Sequence, residues 1–214
     1  MDDSQIQEIK VVLLGESFVG KTSLINTYVK NSFSDKLNMT VSASSFSKII
    51  ETEKGKYNLK LWDTAGQEIY RCLNKIFIKD CQIVIFVYDI TRKKTLEELE
   101  YWYEYSETCL GKDKVVYGVL ANKIDLFNKE NEIKEEYEEL GLEINYVNGN
   151  EGKDFANKIG ALFCETSAKD KIIGFPEFMI KLVEKYITEK KNLKAPTFII
   201  KEKDLKKKKK KKYC

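Results

Sequence analysis

Three short stretches carry the side chains best suited to chemistry, and the first is VVLLGESFVGKTS at residues 11–23. Its four leading apolar residues predict a buried parallel strand, which Gly15 ends where the backbone must turn back tightly before a helix. Gly15 and Gly20 permit backbone angles and close approaches that a Cβ forbids, so the amides from Ser17 to Thr22, that of Val19 among them, can point into one concavity. Converging N–H groups at a helix N-terminus suit a polyphosphate. Lys21 is then expected to reach the β- and γ-phosphates, and the Thr22 hydroxyl to bind Mg²⁺. A chance glycine turn is the bland alternative, and the full Gly-x4-Gly-Lys-Thr spacing argues against it.

The second stretch is LWDTAGQE at residues 61–68. An Asp at the end of an apolar strand is placed to reach a phosphate-bound Mg²⁺ through water, the expected role of Asp63, although taken alone it reads more readily as a solvated strand end. Gly66 can bring its backbone N–H against a γ-phosphate, and Gln67 can orient water beside it. The third stretch is Asn122-Lys123-Ile124-Asp125. Guanine offers an N1–H and a 2-amino group side by side, whereas adenine offers no such donor pair, so a carboxylate at Asp125 favours guanine, with the Asn122 amide as a further purine contact.

These residues need a scaffold that brings them to one edge. Strand patterns occur at 8–14, 45–53, 56–63, 82–89, 114–121 and 161–164, with a hairpin signal at Lys54-Gly55. Helix patterns occur at 22–31, 95–110 and 175–187, the last with Phe178, Leu182, Val183 and Ile187 inward. Strand and helix in alternation mean a parallel sheet covered on both faces, and ligands of such sheets sit beyond the carboxyl ends of the strands. All three stretches follow a strand, as does Glu165-Thr166-Ser167-Ala168-Lys169. The polar segment 32–42, with Phe33 and Thr40, is placed to fold over a nucleotide.

Composition narrows the chemistry. The chain has no histidine, and Cys72, Cys81, Cys109, Cys164 and Cys214 form no Cys-x-x-Cys pair, which argues against zinc sites and histidine acid–base catalysis. The length suits one α/β domain with tails. No apolar run approaches a membrane span, and MDDSQIQEIK lacks signal-peptide features, so a cytosolic protein is expected. The net charge of +3 conceals an asymmetry: residues 201–214 carry +7 and residues 1–200 carry −4. An acidic body gives no argument for nucleic-acid binding.

Taken together, the ordered motifs over residues 8–186 resemble a small GTPase of the Ras superfamily, and YDIT, LWDTAGQE and the basic Cys-ended tail are most similar to the Rab family. The resemblance implies a P-loop NTPase (small G protein) fold of the α/β class, a mostly parallel six-stranded sheet with helices on both faces. It implies that Lys21 and Thr22 bind phosphate and Mg²⁺ within a loop formed by Gly15, Ser17, Val19, Gly20 and Ser23. Thr40 then joins Mg²⁺ and γ-phosphate, Asp63 stands behind the Mg²⁺, Gly66 senses the γ-phosphate, and Gln67 positions water. Asn122, Lys123 and Asp125 hold guanine with Ser167, Ala168 and Lys169, and Phe33 flanks the base.

Three departures from the pattern follow. Where a Rab carries Ile-Gly-x-x-Phe, this chain has Val41-Ser42-Ala43-Ser44-Ser45, with Phe46 one place late. In a strand that shift turns the ring to the opposite face, leaving Trp62 and Phe77 of the usual aromatic effector triad. Residues 127–146 form an acidic insert with seven Glu against Lys129 and Lys134. Ile133, Tyr137 and Leu140 at helical spacing predict a short helix capped by Asn131 and ended by Gly141. A tolerated loop elaboration is the alternative. Rho-family proteins carry a helical insert at this place, which makes a Rho-like signalling GTPase the runner-up. Finally, a run of lysines from Lys206 to Lys212 precedes Tyr213 and Cys214, which fits neither a double-cysteine ending nor C-a-a-X.

The expectation is a GTPase domain over 1–190 and a flexible polybasic tail over 191–214. It would be a monomeric GTP/GDP switch with Mg²⁺, regulating vesicle and membrane trafficking from the cytosolic face of endomembranes. Exchange factor, activating protein and effectors would read the switch segments. The lysine run would meet anionic membrane, a nuclear or nucleic-acid patch ranking lower, and Cys214 would carry lipid. With no arginine in the phosphate loop or in 32–42, turnover should be slow without an activating protein. A nucleotide-dependent scaffold and a P-loop ATPase are the readings from other classes.

Overall fold

The computed structural model describes residues 6–33, 44–64, 76–110, 115–170 and 172–194. Six strands form one sheet in the order β2-β3-β1-β4-β5-β6: β1 (Gln7–Leu14), β2 (Ser44–Thr52), β3 (Gly55–Asp63), β4 (Ile83–Asp89), β5 (Val116–Asn122) and β6 (Leu162–Glu165). Only β2 runs antiparallel, paired to β3 through the tight connection at Glu53 and Lys54; the other pairings are parallel. The expected mostly parallel sheet is therefore present.

Alternation along β1 builds two cores. Val11 and Leu13 face α1 (Lys21–Lys30) and α6 (Phe175–Lys194), where Leu24, Ile25, Phe178, Leu182 and Val183 are fully or almost fully buried. Val12 and Leu14 face the opposite layer, α2 (Lys93–Glu97), α3 (Leu99–Leu110) and α5 (Glu151–Lys158), with Leu99, Trp102 and Ala156. Every residue of β4 is buried, as required of a strand covered on both faces. The helix expected at 95–110 starts earlier and is divided at Glu98, and the terminal helix extends past 187 to Lys194.

The departures noted in the sequence acquire positions here. Ser45 pairs with Trp62 and Phe46 with Leu61, so Phe46 lies against the α1 core while Trp62 lies on the other face. The one-residue shift thus turns the ring away, and Trp62 meets Phe77 with ring centroids 5.3 Å apart. The insert contains helix α4 (Glu130–Glu139). Asn131 is not its cap: the helix starts at Glu130 after Lys129, and Glu130 and Glu132 in the first turn suit the positive end of the helix dipole. Gly141 does end it, at φ 66°, with the Leu142 N–H donating to the Tyr137 carbonyl and the Gly141 N–H to that of Glu138. The insert is not a free loop, because Ile133 and Tyr137 are buried.

Candidate nucleotide site

The carboxyl ends of β1, β3, β4, β5 and β6 open onto one edge, and the chemistry-bearing residues collect there. The loop after β1 needs its glycines. A Cβ on Gly15 would stand 2.2 Å from the Val87 carbonyl oxygen, and one on Gly20 2.3 Å from the Asn122 amide nitrogen; both residues have positive φ, 144° and 95°. Val19 is buried, and Ser17 and Ser23 are half-buried.

Lys21 opens α1 and is buried, its Nζ donating to the carbonyls of Gly15 and Glu16 at 2.8 Å each. Burial lowers its pKa to about 8 against the pull of Asp63 and Glu16. A polyphosphate beside Nζ would raise that value again, so binding takes up a proton above pH 8. Nucleotide affinity is therefore expected to fall as pH rises through about 8, by up to about tenfold per unit. The stability of the nucleotide-free domain should move oppositely. Lys21 in the unfolded chain keeps its proton to about 10.5, so the cost of burying the cation is present below 8 and is relieved as pH rises from 8 towards 10.5. Fluorescent-nucleotide titrations and thermal melts between pH 7 and 10 check the pair, and parallel trends would contradict this account of Lys21.

The Thr22 hydroxyl donates to Asp63 Oδ2 at 2.7 Å, joining the phosphate loop to the end of β3. Asp63 is almost wholly buried, and its Oδ1 has no hydrogen-bond partner among the described residues. Burial raises the Asp63 pKa against the Thr22 hydrogen bond and the Lys21 charge. A buried carboxylate oxygen without a donor, beside a hydroxyl, is an oxygen-rich donor set of the kind Mg²⁺ takes.

At the other end of the edge, Ser167 Oγ donates to Asp125 Oδ1 at 2.6 Å and accepts from the amides of Lys169 and Asp170. The loop after β6 thereby orients the Asp125 carboxylate. Asn122 is held by protein groups on both sides. Its amide nitrogen donates to the Val19 carbonyl at 2.8 Å, its oxygen accepts from the Ala168 N–H at 3.2 Å, and the side chain is buried. Asn122 ties the phosphate loop to the base loop. Phe33 packs half-buried against the α1 core. Thr40, Gly66, Gln67, Cys214 and the lysine run 206–212 lie outside the described residues.

Two residues at this edge were not singled out as site residues in the sequence. Asp89, at the end of β4, is fully buried and ion-pairs with Lys123 at 2.8 Å and Arg92 at 3.0 Å. Burial alone would raise its pKa, but the two cations outweigh burial and hold the carboxyl below its ordinary range. Arg92 also donates to the Ser17 carbonyl at 2.9 Å, bracing the phosphate loop from behind. An acidic residue ending a wholly apolar strand was the available signal for Asp89; Arg92 left none.

The Ras family model matches residues 10–188. The chain belongs to the Ras family. This Ras-family chain is 35% identical over 187 residues to Ras-related protein Rab-18-B of Danio rerio, covering 86% of the chain and 83% of that protein. It is 39% identical over 178 residues to Ras-related protein Rab-21 of Geodia cydonium, with 83% and 70% covered. With Ras-related protein Rab-22A of Homo sapiens the identity is 33% over 167 residues, 78% of each chain. The Ras-family protein is thus most like Rabs, binds guanine nucleotide and hydrolyses GTP.

Proposed function

We propose that this GTPase is a Rab-type switch for membrane trafficking, attached peripherally to membrane and read by effectors in its GTP state. The observation that carries the switch reading is the pairing of Thr22 with Asp63, which links the phosphate loop to the segment holding Gly66 and Gln67. Thr22 and Asp63, with Thr40, would hold Mg²⁺, which when bound supplies positive charge against the phosphate oxygens. Lys21 adds its own charge there, and Gln67 orients the attacking water. Asp125, positioned by Ser167, accepts from guanine, while Lys123, Ala168 and Lys169 complete the base loop. Thr40 and Gly66 contact the γ-phosphate, so its loss releases both segments.

Membrane attachment in this reading combines two weak signals. Each lysine near an anionic leaflet contributes about 1 kcal/mol at best. A single lipid chain anchors marginally, but a chain plus a polybasic patch binds stably. Cys214 is proposed to carry one lipid and the run 206–212 the second signal. In liposome flotation of protein isolated from its native cells, Cys214→Ser should leave the protein in the soluble fraction. Lysine-to-glutamine changes across 206–212 should weaken flotation and flatten its salt dependence. Flotation unaffected by Cys214→Ser, with an unmodified Cys214 by mass spectrometry, would remove the two-signal attachment. Among the described residues no helix is long and apolar enough to cross a membrane.

A further inference from the structure

We propose that the 127–146 insert is a nucleotide-retention element, in which the Tyr137 hydroxyl positions Lys123 and, through Asp89 and Arg92, the phosphate loop. The inference rests on the reading that this edge takes guanine nucleotide.

The Tyr137 side chain enters from helix α4 and is buried. Its hydroxyl oxygen lies 3.0 Å from Lys123 Nζ, 3.1 Å from Thr91 Oγ1 and 3.3 Å from Asp89 Oδ2. Lys123 Nζ also stands over the Tyr137 ring, 5.1 Å from its centroid. The cluster sets two cations, Arg92 and Lys123, around one buried carboxylate, whose other oxygen already accepts from the Thr91 backbone and hydroxyl. An ammonium carries three donors. Among the described residues Lys123 Nζ meets Asp89 and the Tyr137 hydroxyl, so the insert supplies its second acceptor.

Both halves of the nucleotide site hang from this cluster. Lys123 has left-handed backbone angles, φ 68° and ψ 34°, and caps the short turn Ile124–Leu126 that presents Asp125. A non-glycine residue in that region is held there by its surroundings. At the other end Arg92 bonds Asp89 through Nε and the Ser17 carbonyl through Nη2. The segment after α4 is also fastened down, with Asn145 N–H donating to the Thr91 carbonyl at 2.7 Å, its carbonyl accepting from Lys93 N–H at 2.6 Å, and Val147 N–H donating to Ile90 at 2.8 Å. The insert therefore starts from the turn after β5 and is fastened, where it leaves, to the segment after β4, the strand that carries Asp89. Tyr137 is a positioning residue and touches no reacting atom.

The test uses the full chain loaded with fluorescent GDP. Tyr137→Phe removes only the hydroxyl and is expected to speed GDP release roughly three- to tenfold, the scale of one hydrogen bond. Amide exchange should show helix α4 still protected in that variant. Ile133→Ala, which removes the other buried anchor of the helix and leaves the hydroxyl, should lower protection of α4 with release close to wild type. Unchanged release from Tyr137→Phe would overturn the proposal. So would faster release in both variants in step with lost α4 protection, since Tyr137 would then be an anchor only. Failure of the wild-type protein to hold guanine nucleotide would overturn the underlying reading, a result visible before any variant is made.

Discussion

Asp125→Asn is expected to turn a guanine-specific protein into one that prefers xanthine nucleotide. The wild-type carboxylate has Oδ1 engaged by the Ser167 hydroxyl at 2.6 Å. A carboxylate has roughly four lone-pair sites, which leaves ample capacity for the two adjacent donors of guanine. In Asn the Oδ1 position can still accept from Ser167, so the loop after β6 keeps its support and the fold should be unaffected. The other position becomes an N–H₂ donor facing the donors of guanine, and the xanthine 2-oxo group instead accepts from it. Hydrogen bonds to a charged group contribute about 1.5–3 kcal/mol each, so losing two corresponds to an affinity loss of roughly 10²–10⁴-fold. Competition titrations of GDP against XDP on both proteins measure it. An unchanged preference for GDP would remove Asp125 from base recognition.

The uneven legibility of this site in the sequence has a physical pattern. The phosphate loop was readable because its chemistry depends on neighbours in sequence: Gly15, Gly20, Lys21 and Thr22 act within one turn. The side of the sheet taken by Phe46 was readable for the same reason, since a strand's period of two fixes faces locally. The tie that the Asn122 amide makes between Val19 and Ala168 was not, because that use exists only once three strand ends meet. Arg92 and Ser17 lie 75 residues apart, and no periodicity connects them. The insert lies between these extremes. Helical spacing gave Ile133 and Tyr137 as its inner face and Gly141 as its end, yet what that face packs on depended on Asp89, 48 residues away. The helix also starts at Glu130, ahead of Asn131, with Glu130 and Glu132 suiting the positive end of its dipole.

The second large effect concerns turnover. Gln67→Leu is expected to leave nucleotide affinity nearly intact while suppressing hydrolysis, because the side chain is assigned to the attacking water and none of the phosphate or base contacts runs through it. Phosphoryl transfer needs little covalent help from the protein; positioning and charge neutralisation carry the acceleration. Lys21 supplies part of that charge. Arg92, an arginine near the phosphate loop, is committed to Asp89 and to a backbone carbonyl, a geometry that braces the loop instead of meeting phosphate oxygens. A further cation is expected from an activating protein, with an acceleration on the order of 10³–10⁵-fold in the wild type. Leucine at 67 removes the group that such an arginine works with, so most of that factor should disappear. Single-turnover hydrolysis of preloaded GTP, with and without an activating protein, separates the contributions. A Gln67→Leu protein that hydrolyses GTP at the wild-type rate in both conditions would place water activation on another residue, and Gln67 would lose its role while the binding assignments for Lys21, Thr22 and Asp125 would stand.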